Sequence, residues 1–180
     1  MQKRFGNPEK LSVEEMIKKY KYTKNIPYWQ TKEALEWISK MVESDELQEN
    51  LSVIKNSAST LRKINKIIPI VAYISTRPQK VIDGTRKWLV KNKFPKADII
   101  LRPGKDGNKW KAKVLEFLYP KVSAIIDDNP SLIKYLSKNY KGTIFLYDSD
   151  KYETSNIKVI PCKDWGSVLF EVKQIFEKGK

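Results

Sequence analysis

From residue 66 onward the sequence alternates between apolar runs of strand length and segments of helical spacing, and no other feature restricts the fold as much. Ile67–Ile74 is a continuous run rich in Ile and Val, the pattern of a strand covered on both faces. Gln79–Lys93 places Val81, Ile82, Thr85, Trp88 and Leu89 at helical intervals. Ala97–Leu101 reads as a strand, Trp110–Leu118 as a helix, and Val122–Ile126 as a strand closing on Asp127-Asp128. Pro130–Asn139 reads as a helix with proline near its start, and Thr143–Tyr147 as a strand. Ile157–Ile160 reads as one more strand and Trp165–Phe176 as a final helix. Alternation of this kind predicts an α/β fold: a three-layer, Rossmann-like parallel sheet with helices on both faces.

The part before residue 66 reads as helix throughout. Ser12 and Glu15 have capping-box spacing, with Leu11 as the apolar residue before the cap. Val13, Met16, Ile17 and Tyr20 then share one face. Lys24–Trp29 is a loop marked by Pro27, and Thr31 caps a second helix carrying Ala34, Leu35, Ile38, Met41 and Val42. Leu51, Ile54, Ala58, Leu61 and Ile64 predict a third. We therefore expect a helical region over 1–65 and an α/β core over 66–180. There is no internal repeat.

Composition narrows the chemistry. The chain has 180 residues and no histidine, which excludes imidazole bases and His-ligated zinc. Cys162 is the single cysteine, so there is no disulfide framework and no cysteine metal cluster. The opening MQKRFGNPEK has no signal-peptide apolar stretch, and Ile67–Ile74 is too short to span a bilayer. These features predict a cytoplasmic protein with no membrane partner. The formal charge is +14, from 35 basic and 21 acidic residues. Only Arg4, Arg62, Arg77, Arg86 and Arg102 are arginines, and the lysines are scattered. A solvated surface explains that pattern, and it also admits nucleic acid or a phosphorylated ligand as partner.

Ligands of parallel sheets bind beyond the carboxyl ends of the strands. The first strand ends Ser75-Thr76-Arg77-Pro78 and the third ends Asp127-Asp128. Lys109, Lys111 and Lys113 lie at or near a helix start between them. Hydroxyl and ammonium groups would hold phosphate oxygens, and adjacent carboxylates a hard cation such as magnesium. Taken singly, Ser75 is explained as a helix cap and the lysines as solvated. The acidic pair after a buried strand is harder to explain without a compensating charge.

In this order the elements resemble the haloacid dehalogenase-like (HAD) phosphohydrolases, which carry four motifs. Tyr73–Pro78 is similar to the second, with Ser75 in the phosphate-binding place beside Thr76 and Arg77. Lys111 is preferred for the third, with Lys109 as second choice. Asp127 and Asp128 are similar to the fourth, the magnesium-binding acidic pair. The resemblance runs from Ile67 to Tyr147, and the Trp88-Leu89 helix and the spacing are similar to the deoxyribonucleotidase branch of small phosphatases. It implies Ser75 and Lys111 as catalytic residues, Ser75, Thr76, Arg77 and Lys111 as phosphate ligands, magnesium on Asp127 and Asp128, and a phosphorylated small molecule or nucleotide as substrate.

The family's first motif, an apolar strand followed by the nucleophilic Asp-x-Asp, is missing. The only aspartate before Ser75 is Asp45, which follows no apolar strand. Residues 1–65 instead resemble the helical cap that comes after that motif. We expect the middle strand, between those ending at Ser75 and Asp127, to be absent through truncation or loss, and the chain to lack the attacking carboxylate. Asp148 and Asp150 also read Asp-x-Asp, and a circular permutation would put a nucleophile there. The ordinary fifth strand of the family explains them as well. Three functions follow: a phosphohydrolase scaffold inactive in this form, a non-catalytic relative that binds a phosphorylated ligand or partner, and a basic nucleic-acid-binding α/β protein. Tyr28, Trp29 and Trp37 would stack on a base or pack in a core.

Overall fold

A computed structural model describes residues 1–20, 23–104, 107–153 and 156–177. The chain divides into two compact units, Met1–Ser44 and Asp45–Lys180.

The first unit holds helices α1 (Gln2–Phe5), α2 (Val13–Tyr20) and α3 (Lys32–Val42), with two short 3₁₀ turns at Thr23–Asn25 and Pro27–Trp29. The capping box forms: Glu15 N–H donates to Ser12 Oγ at 3.2 Å, and Ser12 N–H to a Glu15 carboxylate oxygen at 2.7 Å. These bonds hold the Glu15 carboxyl below its ordinary range. Thr31 Oγ1 accepts from Ala34 N–H at 3.3 Å and starts α3. The core of the unit is Met16, Ile26, Trp29 and Ala34. Trp29 is buried and donates its indole N–H to the Gly6 carbonyl at 2.9 Å, so it is a core residue and offers no stacking platform. Val13 and Ile17, expected on the buried face of α2, are each 61 % exposed.

The second unit contains α4 (Asp45–Glu49), α5 (Ser57–Ile67), β1 (Ala72–Pro78), α6 (Ile82–Lys91), β2 (Asp98–Arg102), α7 (Gly107–Leu118), β3 (Ala124–Asp127), β4 (Thr143–Tyr147), β5 (Lys158–Cys162) and α8 (Trp165–Phe176). It is α/β, and every strand pairing is parallel. The strands fall into two sheets, β1-β2 and β3-β4-β5. β1 aligns Ala72 with Asp98 and Ser75 with Leu101. β4 sits between its neighbours, with Ile144 opposite both Ile125 and Val159.

Alternate residues of the strands feed two clusters, as the two-residue period requires. Ile74, Ile125, Ile144 and Val159 pack with Ala112 and Leu115 of α7 and with Leu132. Tyr73, Ile126, Phe145 and Ile160 pack with Leu61 and Ile64 of α5 and with Val168 and Val172 of α8. Both sheets thus contribute to the same two apolar clusters, one on each face of the strands.

Four expectations are corrected. The unit boundary is at Ser44/Asp45 rather than at 65/66, because α4 and α5 pack on the α/β elements. Asp45 Oδ1 accepts the Gly84 N–H at 2.6 Å, and a Cβ on Gly84 would lie 2.3 Å from the Asp45 carbonyl oxygen. Only glycine permits that approach. The third helix begins at Ser57 rather than Leu51, since Asn56 takes a left-handed conformation (φ 67°) that interrupts any earlier start. Ile67 closes α5 and β1 begins at Ala72, because Pro69 disfavours helix at Ile68. The Pro130 helix is a 3₁₀ segment ending at Tyr135.

Candidate functional site

β3 ends on Asp127, and Asp128 follows it just outside the strand. Asp127 is buried and Asp128 is exposed. α7 carries Lys109, Lys111 and Lys113, and of these Lys111 alone is turned inward, one residue before the fully buried Ala112. Its Nζ lies 2.5 Å from Asp127 Oδ2, with side-chain exposures of 12 % and 2 %. The other carboxylate oxygen, Oδ1, accepts the Asn129 N–H at 2.9 Å. A buried carboxylate needs such compensation, which answers the desolvation problem posed by the sequence.

Asn129 is a member of the cluster that sequence reasoning missed. Its side-chain oxygen accepts from Ser131 N–H at 3.0 Å, its amide reaches Asn108 Oδ1 at 3.5 Å, and its backbone holds Asp127. The signal was present in Asp-Asn-Pro: an asparagine before a proline is a standard helix start.

The end of β1 approaches the same helix. A Cβ on Gly107, the first residue of α7, would lie 3.1 Å from Thr76 Cγ2. Lys111 follows one helical turn later, about 6 Å along the axis. The carboxyl ends of β1 and β3 therefore both meet the first two turns of α7. Thr76 is also fixed through its carbonyl, which accepts the Arg102 Nε–H. Ser75 Oγ accepts the Arg77 N–H at 3.3 Å. The Arg77 guanidinium turns to α6, where it contacts Thr85 Oγ1 at 3.4 Å and lies over the Trp88 ring at 5.5 Å. Burial pulls its pKa below the ordinary arginine value. Among the described residues no carboxylate forms an ion pair with it.

The sequence-derived residues thus separate. Thr76, Lys111 and Asp127 converge on the start of α7. Ser75 and Arg77 line an apolar groove between β1 and β3. Lys109 and Asp128 are exposed. Asp45 binds Gly84, and Asp148, in a left-handed turn (φ 56°), is exposed along with Asp150.

Magnesium does not fit the carboxylates as they stand. Both oxygens of Asp127 are already engaged, Asp128 lies in solvent, and among the described residues no three acidic, histidine or cysteine side chains form a metal-binding group. No described helix is long and apolar enough to cross a membrane. Comparison with known proteins finds no matching family model, no matching curated protein and no matching solved structure.

Proposed function

We propose that this chain is a HAD-like phosphohydrolase scaffold that binds a phosphoryl group at the carboxyl ends of β1 and β3 and does not hydrolyse it unaided. The single observation that carries this reading is the buried Lys111–Asp127 pair one turn into a helix that begins against Thr76. In this reading the α/β unit is a three-layer, Rossmann-like core. A phosphate arriving there meets the Thr76 hydroxyl and the main-chain N–H groups of the first turn of α7. Lys111 supplies positive charge. The ligand is a phosphorylated small molecule or nucleotide.

Hydrolysis needs an activated nucleophile. Ser75 Oγ accepts a hydrogen bond from Arg77 and has no base beside it among the described residues. Asp127 is tied on both oxygens and cannot attack. Charge stabilisation without a nucleophile leaves the reaction without a covalent route.

The test has two parts. Titration with inorganic phosphate is expected to shift the amide resonances of Thr76, Gly107 and Lys111, and Lys111→Met is expected to abolish the shifts. Turnover of a generic phosphomonoester with magnesium present is expected to be no faster than that of Asp127→Asn. Turnover lost in Asp148→Asn would replace this reading with the permuted site. Absence of phosphate-dependent shifts at any of the three residues would refute it.

A further inference from the structure

The groove bearing Ser75 and Arg77 is not used by the phosphate-binding reading, and it encloses a cavity of about 690 Å³. Its walls are Ala72–Ser75 of β1 and Ala124–Ile126 of β3. Leu61 and Val172 close one face, and Leu115 and Leu118 line the other. We propose that this groove accepts an extended strand from a partner polypeptide, inserted between β1 and β3 and parallel to both. The proposal is independent of the phosphate-binding reading.

Hydrogen bonding sets the kind of occupant. β1 pairs on one side only, with β2, and β3 on one side only, with β4. About half of the main-chain N–H and C=O groups of each strand therefore point away from their own sheet, toward the groove. Buried groups of this kind are costly when unpaired. A helix or a small apolar molecule would leave them unpaired, whereas a strand pairs both edges at once. Side-chain polar groups repeat the pattern. Ser57 Oγ and Trp165 Nε1 are buried, have no hydrogen-bond partner, and belong to residues lining the groove.

Direction and composition follow. Both β1 and β3 run toward the start of α7, so a strand parallel to one is parallel to the other. Both faces of the groove are apolar, so the inserted segment is apolar at consecutive positions, rich in Val, Ile and Leu, over about five residues. Charge sets its end. Arg77, desolvated and without a carboxylate partner among the described residues, lines the groove where β1 finishes. An acidic side chain at the carboxyl end of the incoming strand complements it. A second copy of this chain is a poorer donor, because all five strands among its described residues already lie in ladders.

A synthetic peptide of about five consecutive Val and Ile residues closed by Asp, flanked by lysines for solubility, tests this. Added to the full chain, it is expected to slow amide exchange of 72–75 and 124–127 saturably and to raise the thermal midpoint. The same peptide with a central proline is expected to do neither, since proline cannot donate to a ladder. Replacing its Asp by Asn is expected to weaken binding roughly tenfold in the native protein and little in Arg77→Gln. No protection at saturating peptide, or equal protection by the proline peptide, would overturn the proposal. Concentration-dependent dimerisation that protects 72–75 without peptide would overturn it in favour of a second copy. Equal binding of the Asn peptide would overturn the assignment of Arg77.

Discussion

β4 and the pair β1 and β3 are built from similar sequence and end in different environments. Thr143–Leu146 of β4 is buried at every position, while Ala72–Ser75 of β1 and Ala124–Ile126 of β3 are only half-buried throughout. Ala-Tyr-Ile and Ala-Ile-Ile are no less strand-like than Thr-Ile-Phe. The difference is neighbours: β4 has a strand on each side, and β1 and β3 have one each. Burial of a central strand is a property of the sheet, and the two half-buried strands mark where this sheet is divided.

The comparison is sharpest where a polar pair closes β3. Asp127→Ala leaves the Lys111 ammonium buried without its partner and the Asn129 N–H without its acceptor, and is expected to cost about 3–5 kcal/mol in urea denaturation. Asp127→Asn with Lys111→Met is expected to recover a large part of that loss. A loss below about 1 kcal/mol for Asp127→Ala would mean that the pair is solvated and that β3 ends in water.

Two isoleucines in register give the next contrast. Ile144 of β4 is 1 % exposed and Ile125, its partner on β3, is half-buried beside the groove. Ile144→Ala is expected to cost about 2–5 kcal/mol. Ile125→Ala is expected to cost less than half of the Ile144 value, because truncation there adds to an existing cavity. Equal losses in thermal or urea unfolding would break the comparison.

A smaller effect probes the unit boundary. Gly84→Ala drives a methyl into the Asp45 backbone and is expected to cost about 1–3 kcal/mol, with faster amide exchange in α4. An unchanged midpoint would detach α4 from the α/β unit.

Much of this architecture was legible in the sequence. The spans of β4 and α8 follow from uninterrupted apolar patterning between turn residues. The Ser12–Glu15 box and the Thr31 cap follow from side-chain chemistry within four residues. Lys111 was separable from Lys109 by its spacing to Leu115 along one helix face. What stayed hidden depended on contacts remote in sequence. Asn129 reaches Asn108 across 21 positions, and Asp45 reaches Gly84 across 39. The run Ile67–Ile74 read as one strand because helix end and strand start are both apolar here, and only the stereochemistry of Pro69 divides them. Arg77 read as a phosphate ligand because its sequence neighbours are Ser75 and Thr76; its contacts with Thr85 Oγ1 and the Trp88 ring of α6 were not readable from that neighbourhood.

Residue-resolved amide hydrogen exchange of the protein alone tests the divided sheet most directly. Amides of Ile144–Leu146 are expected to exchange only through global unfolding. The groove-facing amides of β1 and β3 are expected to exchange on the order of 100-fold faster or more. Uniform protection across β1, β3 and β4 would contradict the account, because it would mean that the two edges are already paired and the sheet is whole.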